Sequence, residues 1–370
     1  MINESREKAA DHGDSASPSN FVGLIDNLLA QPDTAAELAS RLVSVRELLD
    51  GPDKTDRRFL TVLLRTQGKR IEPLKDALLC LSAQTDEDFD VVVLQHDASE
   101  ENAARVRTVI DRLAPAFASR VRLVTVSGGT RAKPLNVGIL AAEGRYLAVF
   151  DDDDLVFGNW VEEFHAREAH ARGRLLRAVV ANQTVVPESW PQGQAGFRTV
   201  SWPNAEHATT FDQLEHLLVN HSPFMSWAFP RSLFWQYGVR FDEELVVCED
   251  WDVILRGSLL CGVDDVPALT SIYRRWEDGE SSYTSHSSAA WTWSEQRVLD
   301  RIDRSVIMLP PGSLGQLRAM ILHNGALRRY RFLFSGHQLR GPLNGIWNVV
   351  SPMVRNAVRV RNRLRRMRGR

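Results

Sequence analysis

Between residues 59 and 150 the chain alternates between two hydrophobic periods. Short, nearly continuous apolar runs at 59–64, 89–94, 121–126 and 146–150 are separated by segments with helical spacing at 71–83, 100–114 and 133–142. Such runs suit strands buried on both faces, and strands separated by crossover helices predict a parallel sheet. Ahead of them, Leu24, Ile25, Leu28 and Leu29 mark one helical face. Thr34 and Glu37 have the spacing of a capping box before Leu38, Leu42, Val45 and Leu49, and Gly51-Pro52 stops this second helix. Residues 1–19 offer almost nothing to bury and read as disordered.

Each apolar run ends in polar residues: Arg65-Thr66-Gln67, then His96-Asp97-Ala98-Ser99, then Ser127-Gly128-Gly129-Thr130-Arg131, then Asp151-Asp152-Asp153-Asp154. In an open parallel sheet the carboxyl ends share one edge, where ligands bind. Consecutive aspartates repel one another, and a hard cation that also holds phosphate oxygens relieves this. An acidic turn capping a helix near Asn159 is the plainer alternative. Arg131 and Lys133, beside a helix start at Pro134 with Asn136 just inside, suit a diphosphate. A further acidic group, Cys248-Glu249-Asp250-Trp251-Asp252, opens a helix running to about Gly262. Its acids either complement the helix dipole or include one that takes a proton from a hydroxyl.

Composition narrows the classes. No Walker loop or GxGxxG fingerprint is present, and the aspartates follow the fourth run rather than the first, unlike phosphatases with an aspartate nucleophile. A nucleotidyltransferase would carry a Gly-rich basic loop after its first strand, which residues 65–71 do not provide. Cys80, Cys248 and Cys261 form neither a disulfide framework nor a zinc site, so a reducing, cytoplasmic compartment is expected. No signal peptide or membrane-spanning run is legible. Net charge is -2, but eight arginines lie between Arg355 and Arg370, leaving 37 basic against 47 acidic residues elsewhere. With Ile346, Trp347, Val349, Val350, Met353, Val354 and Val358, this tail predicts a basic amphipathic segment for an anionic membrane face; nucleic acid is not expected.

Taken in order, these residues resemble the large family-two inverting glycosyltransferases over roughly residues 59–276. The resemblance rests on Leu81-Ser82-Ala83-Gln84-Thr85, Asp97-Ala98-Ser99, Asn136-Val137-Gly138 with Gly144, and Phe150 to Asp154. It continues through Pro230-Arg231-Ser232-Leu233-Phe234, Phe241-Asp242-Glu243-Glu244 and Glu249-Asp250-Trp251. It implies a GT-A-type α/β fold, Rossmann-like and mostly parallel, flanked by helices. It also implies a nucleotide-sugar donor, Mg2+ or Mn2+, and inversion at the anomeric carbon. Carried across, Thr66 and Asp97 contact base and ribose, Asp151 the ribose, and Asp153 the metal and diphosphate, with Asp152, Arg131, Lys133 and Asn136 completing the donor site. Asp250 becomes the general base and Glu249 shapes the acceptor pocket.

The first strand ends in Arg65-Thr66-Gln67-Gly68 where this family usually has Pro-Thr-Tyr-Asn, and His96 replaces a common aspartate. The donor is therefore open among UDP, dTDP and GDP types. Tyr273-Arg274-Arg275-Trp276 with Gly279, Ser281 and Ser282 resembles a stretch that closes over the donor, or is an ordinary surface loop; Trp251, Arg274, Arg275 and Trp276 are its acceptor or lid candidates. The expected organisation is 1–56 as tail and helical extension, 57–276 as the glycosyltransferase domain, and 277–370 as a helical region with the basic tail. The expected acceptor is a glycan or a lipid-linked glycan. The rival reading is a non-catalytic glycan- or protein-binding module, against which the paired Asp153 and Asp250 stand.

Overall fold

The protein's structure, a computed structural model, describes residues 20–49, 56–191, 195–277, 286–309 and 312–322. Two helices, α1 (Asn20–Leu29) and α2 (Ala36–Leu49), come first. The four apolar runs form β1 (Leu60–Thr66), β2 (Phe89–His96), β3 (Val121–Val126) and β4 (Tyr146–Asp151). They are joined by α3 (Ile71–Ser82), α4 (Glu100–Asp111) with the short α5 (Pro115–Ala118), and α6 (Ala132–Ala141). These strands pair in parallel in the order β3-β2-β1-β4. With β1 inside this order, the chain steps outward to β3 and returns past β1 to β4. That reversal opens a crevice outside the carboxyl ends of β1 and β4, where Arg65 lies in register with Asp151.

The rest of the sheet is mixed. It comprises β5 (Leu155–Val156), β6 (Leu175–Ser189), β7 (Ala195–Thr199), β8 (Trp227–Pro230) and β9 (Val263–Trp276), interleaved with α7 (Trp160–Ala171), α8 (Gln213–His216), α9 (Arg231–Trp235) and α10 (Glu249–Cys261). β8 runs antiparallel between β4 and β6, and β6 pairs in parallel with β9. The expected α/β sheet flanked by helices is present, with parallel pairing confined to β3-β2-β1-β4 and β6-β9.

Alternation along β1 serves both faces, because successive side chains point opposite ways. Val62 and Leu64 pack with Leu74, Leu78, Val106, Trp160 and Phe164. Leu63 packs on the other face with Leu135, Ile139, Leu233, Val253 and Ile254. Gly138 lets α6 lie against the sheet, since a Cβ there would come 2.7 Å from Leu94 and 3.1 Å from Leu63.

The N-terminal helices depart from expectation in one detail. The Thr34 hydroxyl donates to the Leu28 carbonyl at 2.6 Å, tying the turn back to α1, so the capping box with Glu37 does not form. Asn20 Nδ2 donates to the carbonyls of Ser258 and Leu259 at 3.3 and 3.0 Å, satisfying the last turn of α10. The chain divides into two units, Met1–Pro310 and Pro311–Arg370. The first includes a further helix, α11 (Ser288–Asp303). Of the second, residues 313–322 are helical. No described helix is long and apolar enough to cross a membrane. The expected disordered residues 1–19, the lid residues Gly279, Ser281 and Ser282, and the basic tail lie outside the described residues.

Candidate active site

At the crevice the sheet edge is organised by arginines. Arg65 stands one residue before the end of β1, and its Nε and Nη2 donate to the two carboxylate oxygens of Asp151 at 2.9 and 3.0 Å. Its Nη1 donates to Glu249 Oε1 at 3.1 Å. Arg131 Nε reaches the same glutamate oxygen at 2.6 Å. One guanidinium thus joins the end of β4 to the first turn of α10, and a second braces it. Burial works against ionisation of Asp151, but Arg65 and Arg131 outweigh it and hold its carboxyl below the usual range.

The next three aspartates are each held differently. Asp152 accepts from the Thr66 hydroxyl at 2.5 Å, and that hydroxyl accepts from the Gly68 amide at 2.9 Å. Arg70 reaches down with Nη1 2.5 Å from Asp153 and Nη2 3.3 Å from Asp152. Asp154 accepts from the Arg274 amide at 2.9 Å. Burial pushes the carboxyls of Asp152 and Asp154 up, and the charge of Asp153 adds to both shifts. None of the four caps α7, whose N-cap Asn159 makes no side-chain cap bond. The capping alternative therefore does not account for the aspartate run.

Glu249 and Asp250 open α10 after Cys248, a non-glycine residue at φ 64°. Such left-handed residues cost energy and concentrate at functional sites. Asp250 accepts from Asn220 Nδ2 at 3.0 Å and from the Trp251 amide at 2.7 Å. Burial, then repulsion from Glu249, pushes its pKa up to about 6, with Arg131 opposing. A carboxylate in that range suits proton abstraction near neutral pH.

The other expected residues divide. Asp97, at φ 46° beyond β2, accepts from the Gly128 amide at 2.6 Å and stays half-exposed at the crevice rim. Thr66 is buried, with its hydroxyl engaged as above, so it orients Asp152. Lys133 Nζ donates to the Ser127 carbonyl at 2.6 Å, within the turn that ends β3. Asn136 uses both ends of its amide on Phe241, at 3.0 and 2.9 Å, and so pins the 241–243 loop to α6.

The expected lid is largely a strand. Tyr273 to Trp276 pair in register with Asn182 to Val185 of β6, so these four residues are strand rather than surface loop. Arg274 is buried and bonds Asp76 at 3.0 Å, and the exposed Arg275 bonds Glu206 at 2.7 Å. Trp276 faces Arg70, whose guanidinium lies 5.3 Å from its ring centre. Trp251 is buried in a core cluster with Leu245, Leu255 and Val298 and donates to the His216 carbonyl at 2.8 Å.

Sequence reasoning did not single out Arg65, Arg70 or Asn220 as site residues. The signal for Arg65 was a charge inside an apolar strand, but its partner Glu249 lies 184 positions away.

Residues 69–238 match the family model described as "Glycosyl transferase family 2". Over this segment the chain is similar to the family 2 glycosyl transferases. The resemblance read from the motifs is thus matched over the segment that carries the aspartate run. No curated protein matches the chain. Among solved structures, Staphylococcus aureus TarS 1-349 in complex with UDP-GlcNAc is 17% identical, covering 65% of each chain, with a TM-score of 0.49. The longer S. aureus TarS structure is 16% identical over 71% of this chain and 43% of that one, at TM-score 0.48. The mannosyltransferase PcManGT from Pyrobaculum calidifontis, in complex with GDP-Man and Mn2+, is 15% identical over 79% of this chain and 73% of that one, at TM-score 0.46. The chain thus spans 65% of the TarS 1-349 structure it matches.

The donor set was tested for a divalent cation. Among the described residues no three His, Cys, Asp or Glu side chains converge as a closed metal cage. Five carboxylates, Asp151 to Asp153 with Glu249 and Asp250, face Arg65, Arg70 and Arg131, while Asp154 lies against Arg274. With more carboxylates than guanidiniums at this edge, the donor set fits a hard cation that takes few protein ligands and completes its shell with phosphate oxygens and water.

Proposed function

We propose that this protein transfers a sugar from a nucleotide-diphosphate donor, of the UDP, dTDP or GDP type, to an acceptor hydroxyl in a single inverting displacement. The observation that supports the reading is the bridge through Arg65, whose guanidinium bonds Asp151 of the aspartate run and Glu249 of the Glu249-Asp250 pair. The match to the family 2 model supports it independently. Asp153 would hold Mg2+ or Mn2+, which when bound supplies positive charge at the departing diphosphate. Asp151, fixed by Arg65, would accept from a ribose hydroxyl of the donor. Asp250, held by Asn220, takes the proton from the acceptor hydroxyl as that oxygen attacks the anomeric carbon from the far side. Preorganised charge around the leaving group contributes the largest share of the acceleration. A glycan or lipid-linked glycan of the cell envelope is the acceptor class proposed.

The test is a panel of nucleotide sugars in a melting assay with Mn2+, Mg2+ or EDTA, because a ligand for the native state raises the melting temperature. At least one diphosphate sugar should stabilise the protein only with metal present. Stabilisation by none of them, with either metal, would remove the donor assignment.

A further inference from the structure

Arg70 is placed too deliberately to be a chance surface cation. The loop that carries it turns at Gly68, at φ +69°, where a Cβ would come 2.9 Å from the Asn102 carbonyl oxygen and 2.9 Å from Val106. The turn requires glycine, because a side chain would be strained at this φ and would meet the Asn102 backbone. The Gly68 amide also donates to Thr66, whose hydroxyl holds Asp152, so loop and aspartates are built as one unit. From this fixed base the Arg70 side chain crosses the crevice. One guanidinium nitrogen sits 2.5 Å from Asp153 and another 3.3 Å from Asp152. The guanidinium lies 5.3 Å from the ring centre of Trp276, at the end of β9. It touches the carboxylate at which the proposed cation would bind, yet its side chain remains 32% exposed. Arg65 by contrast is 10% exposed and locked between two carboxylates.

Two positive groups cannot share the Asp153 carboxylate without repulsion. A divalent cation there displaces the guanidinium, and Trp276 offers the displaced group a face to slide along. A planar guanidinium next to a bound diphosphate pairs with two of its oxygens at once. We propose that Arg70 is an exchangeable counterion: it neutralises Asp152 and Asp153 when no cation is bound, and passes to the donor's diphosphate when a divalent cation takes Asp153. The inference rests on the donor reading above and adds to it a diphosphate-binding residue on the β1–α3 loop. It gives Arg70 opposite effects on two ligands. It competes with the metal and cooperates with the nucleotide.

The experiment is calorimetric titration of the full chain and of Arg70→Gln and Arg70→Lys with two kinds of ligand: Mn2+ alone, then UDP, dTDP and GDP in saturating Mn2+. Arg70→Gln should bind Mn2+ alone more tightly than wild type, and should bind the diphosphate about ten- to a hundredfold more weakly, the worth of a charge-assisted bidentate pair. Arg70→Lys, a point charge without the fork, should fall between on both. Melting curves check that each variant is folded. If Arg70→Gln matches wild type in both titrations, or weakens both ligands together, the counterion assignment is wrong. Should wild type bind none of the diphosphates, the donor reading itself falls; if wild type binds one and Arg70→Gln binds it equally well, only the role of Arg70 falls.

Discussion

Asp250 shows how much one residue's surroundings decide. Its pKa of about 6 comes first from burial and then from Glu249, so kcat/KM should rise with pH through about 6 and level off above it, provided Asp250 is the base. The same shift bears on stability with a definite sign. The folded pKa exceeds the unfolded value of 3.8. Folding therefore takes up protons between about pH 4 and 6, and stability falls as pH rises through that window. The cost above it is at most about 3 kcal/mol, since Asp250 keeps partial access to solvent. Asp250→Asn should thus lower turnover by about two to four orders of magnitude while melting no lower than wild type at pH 8, the difference closing toward pH 4. Steady-state kinetics and melting curves over pH 4–8 check both halves. Wild-type turnover in the variant would move the base elsewhere. The Glu249-Asp250-Trp251 motif was legible in the sequence, but its division of labour was not. Only folding sets Trp251 into the core under the His216 carbonyl, and only the neighbouring Asn220 and Arg131 fix the state of Asp250.

At the level of elements, β1, β2 and β4 were legible because they are buried on both faces and read as nearly continuous apolar runs, while the edge strand β3, only partly buried, was legible from Val121, Leu123, Val124 and Val126. The mixed half was not. β6 carries Arg177, Asn182 and Gln183 among its apolar residues, and its pairing with β9 shifts register around Val179, which breaks the alternation a strand normally shows. The end of β9 misled for a related reason: arginines at 274 and 275 look like a loop, yet Arg274 is buried over Phe197, 4.7 Å from the ring centre, with its charge met by Asp76. Among the connections, the β1–α3 turn depends most on a single residue. Gly68→Ala forces a left-handed alanine against the Asn102 carbonyl, so a loss of about 1–3 kcal/mol is expected. Because the turn also sets Thr66 and Arg70, nucleotide affinity should fall with it. Denaturant melts and calorimetry read the two effects. An alanine variant as stable as wild type would show that the turn is not held as described.

Across the whole molecule, the helices that flank the sheet support the acid end of α10. Arg301 of α11 bonds Asp252 at 2.7 Å and also Asp242, while Asn20 of α1 closes the other end of α10. The N-terminal extension and α11, separated from the sheet domain in the sequence reading, pack with it in one unit ending at Pro310. The eight arginines from Arg355 onward carry a separate proposal, peripheral attachment to an anionic membrane face near a lipid-linked acceptor. Each cation near such a surface contributes about 1 kcal/mol. The full chain should co-sediment with phosphatidylglycerol vesicles at low salt and a truncation after Gly345 should not; both forms staying in the supernatant would end that proposal.

The central claim is that the aspartate run and the Glu249-Asp250 pair are the donor and acceptor walls of one transferase crevice. Calorimetric titration of the nucleoside diphosphate selected by the panel, in Mn2+, into wild type, Asp153→Asn and Asp250→Asn tests it most directly. Wild type and Asp250→Asn should bind alike, Asp153→Asn should show no measurable binding, and EDTA should abolish binding by wild type. Equal binding by all three proteins, or binding that survives EDTA, would contradict the account.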